Sequence, residues 1–212
     1  MDPTRIIAVR HGETAWNVDT RIQGQLDVPL NDNGRAQAQR LARALAGETI
    51  AAIYSSDLAR AHATAQAVGG ATGIAVLTDR GLRERAFGRF EGRTFAQIET
   101  EGPDEALRWR RREPGFAPEG GESLLQLRQR VVETAHALAD RHRGEQIVLV
   151  AHGGVLDVLY RAATGQELQA PRTWELGNAA INRLLRTADG LTLVGWADAQ
   201  HLQDESLDET SA

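Results

Sequence analysis

The chain has 212 residues, with 24 basic against 29 acidic side chains and a formal net charge of −5. That length supports one full α/β core, and the acidic balance excludes the basic field that draws nucleic acid or an anionic membrane. The absence of cysteine excludes disulfides, thiolate metal sites and a cysteine nucleophile, and no apolar run approaches the length of a membrane span.

Ile6 to Val9 is an apolar run without alternation, which predicts a strand covered on both faces. It ends in Arg10-His11-Gly12, at the carboxyl end of a strand, where open α/β sheets bind ligands. A permanent cation beside an imidazole suits a phosphate ester, since Arg clamps the oxygens while His attacks or moves a proton. The Gly/Pro-punctuated stretch from Glu13 to Leu30 is a loop beside this point. Asn17 and Arg21 lie within its reach of a phosphoryl oxygen, and Gln23 and Gly24 share the loop as candidate substrate contacts.

Asn31 is an N-cap for a helix to about Ala46, with Ala38, Leu41 and Leu45 on one face. Ile50 to Tyr54 reads as the second strand, and Ser55-Ser56-Asp57 as the opening of a helix that buries Leu58, Ala61, Ala65 and Val68. Arg60 falls in the first turn of that helix, where the dipole repels a cation unless an anion is close. Ile74 to Leu77 is a third strand, followed by a charged, glycine-punctuated loop from Gly81 to Gly92. Glu84 in that loop is a candidate to protonate a leaving oxygen; Glu91 is second choice, with orienting the loop or capping a helix as its other roles.

Thr94 to Thr100 and Pro103 to Arg112 form a short helical region ending in the basic run 108–112. A solvated face over a packed Trp109 is the favoured reading of that run, a cationic substrate lid the other. Arg83 and Arg85 also hint at a second acidic group on the substrate. Ser123 and Gln126 fit a capping box for the longest helix, whose stripe is Leu124, Leu127, Val131 and Leu138. Ile147 to Ala151 followed by His152-Gly153-Gly154 then repeats the pattern of the first strand. If the two strands are parallel neighbours, their histidines meet above one sheet edge. A helix from about Val155 to Thr164 follows, then strands Ile181 to Arg186 and Leu191 to Trp196 joined at Asp189-Gly190. Residues 1–200 are expected to form one domain and 201–212 a frayed polar tail.

These segments together resemble the histidine phosphatase superfamily (phosphoglycerate mutase-like, branch 1). The resemblance is carried by Arg10-His11-Gly12-Glu13-Thr14, Trp16-Asn17, Arg21 with Gly24, Asp27 with Pro29-Leu30, Ser55 to Ala65, Leu82-Arg83-Glu84, Gly88 with Glu91-Gly92, Gly120-Gly121-Glu122-Ser123 and His152. Ala63 departs from it, since members often carry Gln there. It implies a three-layer α/β/α sandwich with a mostly parallel central sheet. It also implies a phosphomonoesterase in which His11 becomes a phosphohistidine, Arg10, Arg60, a cationic His152 and Asn17 hold the phosphoryl oxygens, and Glu84 shuttles the proton. Gly153 accompanies His152 at the site, and Glu122 and Ser123 fall at its rim. No metal and no cofactor are implied. The implied ligands are a small-molecule phosphate ester, with inorganic phosphate, sulfate or vanadate as site ligands, and neither nucleic acid nor membrane is expected as a partner.

The alternatives are a cofactor-dependent phosphoglycerate mutase, a non-catalytic phospho-ligand-binding module and a two-histidine metal hydrolase. The mutases resembled carry a long insertion between the glutamate element and the second histidine; this chain lacks it, which favours water as acceptor. Arg10 beside His11 disfavours a metal. A homodimer through the C-terminal hairpin edge and a cytoplasmic location complete the expectations, the latter because His11 lies too near Met1 for a signal peptide to precede it.

Overall fold

The computed structural model describes residues 2–203. Its strands are β1 (Thr4–Arg10), β2 (Ala52–Ser55), β3 (Val76–Thr78), β4 (Gln146–Ala151), β5 (Ile181–Thr187) and β6 (Gly190–Asp198). Its helices are α1 (Ala15–Val18), α2 (Asp32–Leu45), α3 (Ala59–Thr72), α4 (Phe95–Glu101), α5 (Pro103–Arg110), α6 (Leu124–Ala139) and α7 (Gly153–Thr164). The strands form one sheet in the order β3-β2-β4-β1-β5-β6. β1 to β4 are mutually parallel, and the β5–β6 hairpin adds antiparallel strands beside β1.

The unalternating apolar run of β1 is explained by helices on both faces of the sheet. Ile6 and Ala8 pack with Leu127, Val131, Leu156 and Leu159 of α6 and α7. Ile7 and Val9 point the other way, onto Leu41 and Leu45 of α2 and Ala65 and Val68 of α3. β4 obeys the same rule: Ile147 and Leu149 join the first cluster, Val148 and Val150 the second. Each such side chain, fully withdrawn from water, contributes about 1.5–3 kcal/mol. The three-layer α/β/α arrangement with a mostly parallel sheet is therefore present as expected.

This topology decides where a ligand can sit. β1 and β4 are neighbours, with Val9 beside Val150 and Arg10 beside Ala151. The chain leaving β1 runs to α2 on one face, whereas the chain leaving β4 enters α7 on the opposite face. Two parallel strands whose connections depart in opposite directions open a crevice at their carboxyl ends.

Some boundaries differ from the sequence reading. β2 ends at Ser55 rather than Tyr54, and Ser55–Asp57 do not cap α3. The N-cap is Leu58, which offers no side-chain bond; Asp27 accepts from the Ala59 amide at 2.6 Å instead. α7 begins at Gly153, two residues before the expected start, because the turn is made by extended His152. Of the polar tail 201–212, His201 and Leu202 belong to a short 3-10 helix, Gln200–Leu202, anchored by His201 Nε2 at 3.0 Å from the Ala179 carbonyl; 204–212 lie outside the described residues. The basic run ending α5 is mostly a solvated face, with Arg108 paired to Glu113 and Arg110 to Glu99. Trp109 packs beneath it among Phe87, Phe90 and Phe95.

Candidate active site

Both histidines are brought to the crevice. His11 is 3% exposed and His152 fully buried, with their ring centroids 5.2 Å apart at an interplanar angle of 57°. The backbone under His11 is fastened from several sides. Its amide donates to the Ala151 carbonyl at 3.0 Å, and its own carbonyl accepts from Asn178 Nδ2 at 2.8 Å. The Gly12 amide donates to Thr64 Oγ1 at 3.0 Å, and that hydroxyl donates onward to the Arg60 carbonyl at 2.8 Å. Gly12 must lack a Cβ, which would collide with the Gly34 backbone.

The tautomer of His11 follows from its partner. Nδ1 lies 2.7 Å from the Gly12 carbonyl, which can only accept, so Nδ1 carries the proton and Nε2 the lone pair. Arg60 Nε donates to that lone pair at 3.3 Å. Burial holds the His11 pKa well below the usual 6.5, and Arg10 and Arg60 lower it further against the opposing Gly12 bond. Burial, then Arg60, His11, Arg10 and Arg130, do the same for His152. Burial first, and then Arg60 and Arg10, disfavour in the free protein the cationic His152 that the resemblance implies. Its Nε2 sits 2.8 Å from Ser56 Oγ, while its buried Nδ1 has no hydrogen-bond partner among the described residues.

Arg10 and Arg60 flank the imidazoles. Arg60 is 1% exposed, and its Nη1 and Nη2 donate to the carbonyls of Leu26 and Gly24 at 2.9 and 2.7 Å. It is held by the loop it was expected to face. Arg10 Nη1 donates to the Leu176 carbonyl at 2.5 Å, and its buried Nε has no partner among the described residues. Burial lowers the pKa of each guanidinium, with Glu84 opposing in both cases. Buried polar groups are almost always paired, so an unpartnered Arg10 Nε and His152 Nδ1 in one crevice fit an anion.

Glu84 lies at the N-terminus of α7. Its Oε2 accepts from the Gly154 amide at 3.0 Å and its Oε1 from the Arg85 amide at 2.7 Å. A Cβ on Gly154 would overlap Glu84 Oε1 and stand 3.3 Å from its Cδ. Gly153 is less crowded, with its notional Cβ at an ordinary contact distance of 3.6 Å from Arg10 Nε. Gly154 is thus what allows the helix N-terminus and the Glu84 carboxylate to converge.

The loop residues contribute less directly. Asn17 is the N3 residue of a capping box on α1: its Oδ1 accepts from the Thr14 amide at 3.0 Å, which leaves Nδ2 for other partners. Arg21 Nη1 donates to the Gly92 carbonyl at 3.0 Å, a loop tie rather than a contact with His11 or Arg60. Gly24 has φ +53° and serves through its carbonyl on Arg60. Gln23 is buried, and its Oε1 has no partner among the described residues. Glu91 orients the loop, accepting from the amides of Gln25 and Phe87 at 3.0 Å each, and does not cap α4, whose N-cap is Thr94. Arg83 is spent on a bidentate pair with Asp57 at 2.6 Å. Glu122 pairs with Arg130 at 2.7 Å, and Ser123 caps α6.

A cavity of about 380 Å³ adjoins the crevice, beginning at Arg10, Gly153 and Gly154. Its outer wall carries Arg85, Arg112, Arg172 and Asp157 among Phe87, Trp109 and Leu176. Burial pushes Arg85 down to about 10, against the pull of Glu84 and Glu122. Arg112 is the one member of the basic run that turns inward, donating to Asp157 Oδ2 at 2.6 Å. Asn178, Asp157 and Arg172 escaped the sequence reading, while Ser56 and Thr64 entered it within the 55–65 signature, with no role in the site. Among the described residues no cluster of three or more His, Cys, Asp or Glu is spaced to hold a metal ion.

A crevice at the switch point of a mostly parallel sheet, holding two facing imidazoles and two buried arginines, defines a phosphoryl-binding α/β protein. The chain belongs to the histidine phosphatase superfamily (branch 1), whose family model matches residues 6–199. Phosphoglycerate mutase-like protein 4 of Arabidopsis thaliana is 41% identical over 210 residues, 96% of this chain and 89% of that protein. A solved mycobacterial glucosyl-3-phosphoglycerate phosphatase in complex with VO3 is 35% identical, with a TM-score of 0.82 over 92% of this chain and 99% of that one. A phosphoserine phosphatase mutant of Entamoeba histolytica in complex with phosphoserine is 29% identical, with a TM-score of 0.85 over 94% and 100%. Among the described residues no helix is long and apolar enough to cross a membrane.

Proposed function

We propose that this protein hydrolyses small-molecule phosphate monoesters through a phosphohistidine on His11, within one domain spanning residues 1–200. The observation that carries the reading is the 2.7 Å contact of His11 Nδ1 with the Gly12 carbonyl, which places the proton on Nδ1 and leaves the Nε2 lone pair beside Arg60, in a ring 5.2 Å from that of His152. In the first step Nε2 bonds to phosphorus as the ester P–O bond breaks, and Glu84 gives its proton to the leaving oxygen. In the second step Glu84 takes a proton from water, whose oxygen bonds to phosphorus as the N–P bond breaks, releasing inorganic phosphate. Arg10, Arg60 and His152 stabilise the phosphoryl oxygens, with Asn17 Nδ2 as a further donor; removing one such donor typically costs about 10²–10³ in rate. Arg21, Gln23, Gly24 and Gly153 act by shaping the walls that these groups line.

Phosphatase names among the structural relatives support water as acceptor; the mutase-like relative keeps transfer to a second hydroxyl as the competing outcome. The arginines of the adjoining cavity favour a leaving group with its own acidic function. Phosphate, sulfate and vanadate should bind as inhibitors. The test is hydrolysis of p-nitrophenyl phosphate, with acid-stable and base-stable adducts scored after rapid quench. A base-stable, acid-labile phosphoryl adduct that disappears in His11→Ala is expected; a fully active His11→Ala would refute the nucleophile. Fast isomerisation of 3-phosphoglycerate in the presence of its bisphosphate, with little phosphate release, would make it a mutase. We assign the cytoplasm as compartment and the open β6 edge as the surface for a homodimer, to be checked by fractionation and sedimentation.

A further inference from the structure

We propose that Asp157 is a specificity-determining residue, whose Oδ1 accepts a hydrogen bond from a hydroxyl or ammonium on the leaving group beside that group's own acidic function. The proposal rests on the phosphomonoesterase reading. Asp157 lies one helical turn beyond Gly153 on the same face of α7, about 6 Å further along the axis. It lines the cavity that starts at Arg10 and Gly153 and is only 5% exposed.

Its two oxygens differ sharply. Oδ2 accepts from Arg112 Nη2 at 2.6 Å and from Arg161 Nε at 3.0 Å. Oδ1 is buried and, among the described residues, has no hydrogen-bond partner. Both arginines that hold Oδ2 are anchored elsewhere as well. Arg161 is buried and commits its remaining nitrogens to the carbonyls of Glu167 and Ala170, while Arg112 Nε is held by the Leu168 carbonyl at 2.8 Å. A buried carboxylate oxygen in a cavity wall is a demand for a donor.

The surrounding charges narrow that donor's setting. Arg85 and Arg172 share the wall and are suited to an acid, with Arg112 beside them. A leaving group with a donor on the carbon next to a carboxylate satisfies both at once. An ester lacking the donor would leave Oδ1 unpaired in a closed complex, and sites built around such a bond discriminate strongly against it.

The experiment compares kcat/KM for four esters: 3-phosphoglycerate, which carries a hydroxyl donor; phosphoserine, which carries an ammonium donor; the phosphate ester of 3-hydroxypropanoate, which keeps the acid but lacks the donor; and p-nitrophenyl phosphate, which has neither. Wild-type protein should prefer at least one donor-bearing ester over the hydroxypropanoate ester by about tenfold or more, and the better of the two identifies the donor. In Asp157→Asn the amide nitrogen is turned away from the two arginines and toward the cavity. The gap should then shrink to less than about threefold, whatever the change in the absolute rates. A wild type that hydrolyses all four esters without this preference would overturn the proposal, even if the variant fails to fold. So would an Asp157→Asn that keeps the gap, or one that loses all four activities equally, which would mark a structural role. A wild type inert towards every ester would instead sink the phosphatase reading.

Discussion

Replacing Gly154 by alanine tests the proton shuttle without touching a reacting group. The new Cβ would overlap Glu84 Oε1 and press on its Cδ at 3.3 Å, while making only ordinary contact with Leu127 Cδ2 at 3.5 Å. The carboxyl group must rotate away, losing the 3.0 Å bond from the Gly154 amide. A charge-assisted bond of this kind is worth about 1.5–3 kcal/mol, and a displaced rotamer adds about 0.5–1.5 kcal/mol. Alanine recovers about 0.5–1 kcal/mol through helix propensity in the first turn of α7. The net loss of stability is therefore about 1–4 kcal/mol, within the usual margin of a folded domain, and the fold should survive. Catalysis should suffer selectively. A misplaced general acid costs about 10²–10⁴ when the leaving group is a poor one, but p-nitrophenolate leaves without a proton. Phosphorylation of His11 from a series of esters, measured by rapid quench and plotted against leaving-group pKa, should therefore steepen in Gly154→Ala, with alkyl phosphates falling at least about 10²-fold. A uniform loss across the series, or none, would mean that Glu84 is not the acid.

Other expectations follow from the same geometry. His11 and His152 have folded-state pKa values below those of the unfolded chain, so the unfolded state binds more protons as pH falls through 6.5. Their burial as neutral rings therefore favours folding fully above that pH, and stability declines below it by up to about 1.4 kcal/mol per pH unit for each ring. Thermal unfolding between pH 7 and 5 should show this slope, and His152→Asn should flatten it; an unchanged slope in both histidine variants would refute the neutral pair. Vanadate at about 100 times its dissociation constant should stabilise the wild type by about 2.7 kcal/mol, and the shift should vanish in Arg10→Met, which removes the unpartnered Nε; a shift retained in full would place the anion elsewhere. Thr64→Val strips the acceptor from the buried Gly12 amide, so unfolding free energy should drop by about 1–3 kcal/mol, with adduct formation on His11 slowed as well. Equal stability by denaturant titration would show that the Thr64 hydroxyl does not support that turn.

What could be read from the chain was whatever depends on local pattern. The four apolar residues of β1 and of β4 announce strands covered on both faces, and the His-Gly that ends each announces the crevice, because burial and turn chemistry act over a few residues. Arg60 was legible for a similar reason, as a cation where a helix dipole disfavours one. Ser56, Thr64 and Asn178 were not, since each acts on an atom far away in sequence and looks like an ordinary polar side chain at home. Asp157 is the extreme case: at the fifth position of an otherwise apolar helix it resembles a solvated interruption. It is buried with two ion partners, Arg112 just beyond α5 and Arg161 one turn further along α7. Arg112 adopts φ +52°, an unfavourable backbone for a non-glycine residue, and its guanidinium reaches Asp157. Strain at the end of α5 thus coincides with a buried ion pair that faces the substrate cavity, as expected where local preference yields to function. The phosphoryl end of the site is written in contiguous motifs because one strand end and one helix start suffice to build it. The leaving-group end is assembled from single residues of separate segments, so it is there that relatives with the same motifs can differ in what they accept.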